Sequence, residues 1–108
     1  MPVHNKLVRD KIPEIIEKTG KKFSIKTLSN KEYITELRKK AYEELKEYMD
    51  TENKEAAVEE LADLLEILHA LAESHGSTIK EVEEIRKQKA AKRGGFKEKT
   101  FLIEVEDE

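Results

Sequence analysis

Two short acidic segments have the residue types and spacing for metal chemistry. Glu43-Glu44-Leu45-Lys46-Glu47 and Glu60-Leu61-Ala62-Asp63 each hold carboxylates at i and i+3. On a helix such residues share one face, with Cβ atoms about 5–6 Å apart. If the two segments lie on adjacent helices, four carboxylates converge. Two carboxylates 5 Å apart repel by about 3 kcal/mol at an effective dielectric of 20. A hard divalent ion with oxygen ligands removes that conflict. Mg²⁺ is the usual choice where phosphate also binds, with Mn²⁺ as its substitute.

The elements that must position these acids follow from periodicity. Ser29 with Glu32 forms a capping box. The helix it starts should run to about Met49, with Ile34, Leu37, Ala41, Leu45 and Tyr48 as its apolar stripe. Asp50-Thr51-Glu52-Asn53 reads as a tight connection, with Asn53 as the next N-cap. A helix from about Lys54 to Ser74 follows, stopped by Gly76. Thr78 with Glu81 starts another, which runs to about Arg93 before Gly94-Gly95. Near the N-terminus, Pro13 suits the first turn of a short helix that ends at Gly20. Phe23 to Leu28 alternates and is β-rich, as is the end of the chain, so residues 23–28 and 99–105 form a candidate β ribbon.

A helical wheel at about 100° per residue sorts the acids. Glu60 falls at the edge of the stripe of Leu61, Leu64, Leu65 and Leu68. Asp63 falls between Ala56, Ile67 and Ala70, whereas Glu59, Glu66 and Glu73 form a solvated stripe. On the preceding helix Glu44 lies among Tyr33, Leu37, Ala41 and Tyr48, Glu47 at the margin, and Glu43 outward. Folding the helices together about Thr51 brings Glu44 level with Glu59 or Glu60. Any one of these glutamates read alone is a solvated surface charge. The paired spacing, shared face and hairpin registry together favour a built site. From Ala56 to Ala72 only Glu59, Glu60, Asp63, Glu66 and His69 are not apolar. A helix apolar around most of its circumference needs more cover than a small chain provides, which predicts a homodimer or homotetramer.

The acidic blocks resemble the E-E-x-x-E and E-x-x-D segments of the MazG-like all-α nucleoside triphosphate pyrophosphohydrolase superfamily. Asn5-Lys6-Leu7-Val8-Arg9-Asp10-Lys11-Ile12-Pro13 resembles the start of its small single-domain members, which are akin to phosphoribosyl-ATP pyrophosphohydrolase. Lys89-Ala90-Ala91-Lys92-Arg93-Gly94-Gly95-Phe96 resembles their K-x-x-x-R-G-G-F block. The resemblance implies an all-α, four-helix-type bundle completed by oligomerisation, as one domain over residues 1–108. It also implies Mg²⁺-dependent hydrolysis of a nucleoside triphosphate to monophosphate and pyrophosphate. Glu44, Glu47, Glu60 and Asp63 would then be the metal ligands and catalytic residues. Lys6, Arg9, Lys40, Lys89 and Arg93 would hold substrate phosphates. A house-cleaning role on non-canonical nucleotides is one implied use, and phosphoribosyl-ATP hydrolysis in histidine biosynthesis is another. The rival from another class is a non-catalytic helical interaction module.

Composition narrows the alternatives. The chain has 108 residues, 21 basic and 24 acidic, for a net charge of −3. That near-balance argues against a nucleic-acid binder. There is no cysteine, which excludes disulfides and thiolate metal sites. His4, His69 and His75 lack ligand spacing on one helix face. No apolar run approaches the length of a membrane span, and the N-terminus lacks the apolar stretch of a signal peptide, so a cytoplasmic protein is expected.

Overall fold

The computed structural model describes residues 2–107. Four helices make up its regular structure: α1 (Ile12–Lys18), α2 (Asn30–Met49), α3 (Lys54–Ser74) and α4 (Ile79–Arg93). The fold is all-α, and no β-strand forms among the described residues.

Local chemistry explains the boundaries. The Ser29 hydroxyl accepts from the Glu32 N–H, while the Glu32 carboxylate accepts from the Ser29 N–H, completing the capping box. Asn53 Oδ1 accepts from the Ala56 N–H at 2.9 Å and starts α3. Thr78 caps α4 through the Glu81 N–H. After α3, Gly76 takes a φ of +77°, a left-handed turn that strains any side-chain-bearing residue.

The four-residue connection at 50–53 folds α2 and α3 into an antiparallel hairpin, and α4 packs against α3 over a short stretch. Leu37, Ile67 and Ala72 are the buried apolar residues. The side of α3 turned toward α2 carries Glu60, Asp63, Leu64, Ile67 and Ala70. Val58, Leu61, Leu65 and Leu68, a row on its other side, stand exposed.

A compact chain of this size has a radius of gyration of about 13 Å and an accessible surface of about 6,200 Å². Here they are 18.8 Å and 10457 Å². Residues 22–28 and 100–107 lie outside the helices, and their backbone groups form no hydrogen bonds among the described residues. No ribbon pairs these segments among the described residues. A lone two-stranded ribbon has little stability of its own.

Candidate metal centre

The hairpin places Glu44 and Glu47 of α2 beside Glu60 of α3, with one carboxylate oxygen from each lying within 4.8 Å of the others. Glu44 and Glu60 are half-buried on facing sides of the hairpin, and Glu47 is exposed at its margin. Glu44 Oε2 and Glu60 Oε2 are buried without a hydrogen-bond partner. Such atoms lose hydration without a replacement, which is costly for carboxylates.

Burial and crowding shift Glu44 and Glu60 toward the protonated form. Burial, reinforced by the Glu47 charge, by the closeness of the Glu47 and Glu60 carboxyls, and by the Asp63 charge, pushes the Glu44 carboxyl up to about 7. Burial also raises Glu60. The nearby Glu44 carboxyl opposes that rise, while the closeness of Glu47 and the charges of Glu47 and Asp63 add to it. The three carboxylates could hold a metal ion, and an oxygen-only donor set suits a hard divalent cation.

Asp63, the fourth acid of the expected set, faces a different partner. Its Oδ1 accepts from Arg9 Nη2 at 2.8 Å, across 54 residues of chain. Arg9, expected at substrate phosphate, here neutralises the Asp63 carboxylate. Glu43 is exposed, in agreement with its outward position on the helical wheel.

The N-terminal segment also brings expected basic residues to α2. His4, Asn5, Lys6 and Leu7 lie against Glu36, Lys39, Lys40 and Glu43, enclosing a cleft of about 170 Å³. Lys40 sits one helical turn before Glu44, so the cleft adjoins the acids along α2. Asn5 adopts a φ of +45°, a left-handed conformation that Asn tolerates better than most residues. Lys6 and Lys40 thus share one cleft. Lys89 and Arg93 are exposed on α4, which packs on α3 and not on α2, and no contact joins them to the acids among the described residues.

Sequence reasoning missed Lys39 and His4 as cleft residues. The signal for Lys39 was its position beside Lys40. His4 had none, because a segment without periodicity does not reveal which helix it lies on. Compared with known families, characterised proteins and solved structures, the chain matches none.

Proposed function

We propose that this chain is a Mg²⁺-dependent nucleotide pyrophosphohydrolase, cleaving a nucleoside triphosphate to monophosphate and pyrophosphate. The observation that carries the reading is the convergence of Glu44, Glu47 and Glu60 across the hairpin, with two buried oxygens left unpartnered. The cleft beside them is also lined by Glu36 and Glu43, and Lys39 pairs with Glu36 at 3.1 Å, so Lys6 and Lys40 are the cations it offers an anionic substrate. The MazG-like motif order supports the reaction class.

In this reading Glu44, Glu47 and Glu60 hold Mg²⁺, and Asp63 joins them once Arg9 moves off it. A bound ion would neutralise the oxygens of the phosphoryl group whose phosphorus is attacked. Lys6 and Lys40 hold the polyphosphate in register along α2. Arg9, freed from Asp63, presents its planar fork of donors to phosphate. Glu47, the most solvent-open acid of this set, would orient a water and accept its proton. Lys89 and Arg93 reach a site only if a second copy brings them there, which fits a homodimer or homotetramer closing over the exposed row Val58, Leu61, Leu65 and Leu68. That same row is what favours the second reading, a helical interaction module with no catalysis.

Incubation with Mg²⁺ and a panel of canonical and modified nucleoside triphosphates, together with phosphoribosyl-ATP, separates the two. Chelator-sensitive release of pyrophosphate and a monophosphate supports the enzyme. No turnover across the panel, with Mg²⁺ affinity unchanged by Asp63→Asn, leaves the interaction module.

A further inference from the structure

The two segments outside the helices are complementary. In residues 22–27, Lys22, Ser24 and Lys26 alternate with Phe23, Ile25 and Thr27. In residues 101–106, Leu102, Glu104 and Glu106 alternate with Phe101, Ile103 and Val105. In an extended chain successive side chains point to opposite faces. Each segment therefore offers one face free of charge and one face carrying charges, basic in the first and acidic in the second.

Both segments stand uncovered. Phe101, Leu102, Ile103 and Val105 are 74–88% exposed, and Phe23 and Ile25 are exposed as well. The backbone N–H and C=O groups of both segments form no hydrogen bonds among the described residues. Lys26 reaches Glu32 only at 3.9 Å, an exposed and loose ion pair. Free backbone edges with apolar side chains are templates for pairing.

We propose that residues 101–106 of one copy pair, antiparallel, with residues 22–27 of a second copy. One register pairs the uncharged faces and brings opposite charges together on the other. Val105 faces Phe23, Ile103 faces Ile25 and Phe101 faces Thr27. On the other face Glu106 meets Lys22, Glu104 meets Ser24 and Leu102 meets Lys26, whose ammonium lies diagonal to Glu104. Opposite charges and apolar pairs across strands both favour this arrangement. Reciprocal exchange makes two such ribbons about a two-fold axis, so the assembly closes at two copies. The chain's accessible surface exceeds that of a compact monomer by about 4,000 Å², ample against the 1,200–2,000 Å² that a standard interface buries. The pairing is independent of the pyrophosphohydrolase reading and fails or stands without it.

The absence of native cysteine makes a cross-link test clean. Ile25→Cys and Ile103→Cys chains, distinguished by a tag, are co-expressed and run without reductant. Facing residues in an antiparallel pair lie within disulfide reach. The expected result is a covalent heterodimer that neither variant forms alone. No heterodimer while circular dichroism shows the helices intact overturns the proposal, as does a doubly substituted chain that links only to itself. Charge reversal checks the register. Lys22→Glu with Lys26→Glu, and Glu104→Lys with Glu106→Lys, should each weaken self-association by about tenfold, while the two variants co-expressed should associate like the unaltered chain. Association unmoved by either reversal counts against the register.

Discussion

Replacing Glu44 by Gln should stabilise the metal-free protein while removing its response to Mg²⁺. Most substitutions of a half-buried polar residue destabilise, so the sign itself is informative. The Glu44 carboxyl rises from its ordinary value of 4.5 to about 7 in the folded chain. Between those values the folded state binds more protons than the unfolded state, so stability falls as pH rises through that window. At 1.36 kcal/mol per pKa unit the full cost of ionising Glu44 would be about 3 kcal/mol. Water reaching the open edge of the hairpin screens much of this, leaving about 1 kcal/mol. Gln keeps the shape, carries no charge and donates a hydrogen bond to the remaining carboxylates. In thermal melts at pH 8 without metal the variant should therefore unfold about 4–8 °C above the unaltered chain. At pH 4.5, where Glu44 holds its proton in the folded state, the gap should close. Added Mg²⁺ at pH 8 should raise the melting temperature of the unaltered chain and leave Glu44→Gln nearly unmoved. A variant that melts lower at both pH values, or that Mg²⁺ still stabilises fully, would refute the coupling of burial, protonation and metal binding at this site.

Other perturbations test other parts of the structure. Arg9→Gln removes a half-exposed ion pair, so its stability cost should stay under about 1 kcal/mol; the freed Asp63 should tighten Mg²⁺ binding without nucleotide by about threefold in calorimetric titration. Asn53→Ala removes the cap of α3 and should cost about 1 kcal/mol in urea unfolding, with Asn53→Gly losing less. Leu61→Glu together with Leu65→Glu charges the exposed face of α3; sedimentation should show smaller assemblies, and an unchanged size distribution would mean that this face stays open to solvent.

Much of the fold is legible because its determinants are local. A capping box, an Asn N-cap and a glycine stop act within a few residues, so the helices begin and end close to where the sequence places them. The two acidic pairs follow from the same periodicity, and the short connection at residues 50–53 sets which turn of α2 meets which turn of α3. For that reason helical spacing and loop length alone bring Glu44 level with Glu59 or Glu60.

Tertiary structure decided what the helical period leaves open. Helix α3 is apolar around most of its circumference, so its sequence cannot say which side α2 covers. In the fold α2 takes the side of Glu60, Asp63 and Ile67, and leaves Val58, Leu61, Leu65 and Leu68 bare. The N-terminal segment has no period, so only long-range contacts set its course along α2, with Lys6 beside Lys40 and Arg9 on Asp63. The acids are a property of the sequence. The raised proton affinity of Glu44 and Glu60 is a property of the packing, because desolvation and charge repulsion arise only when two helices bring carboxylates together away from water.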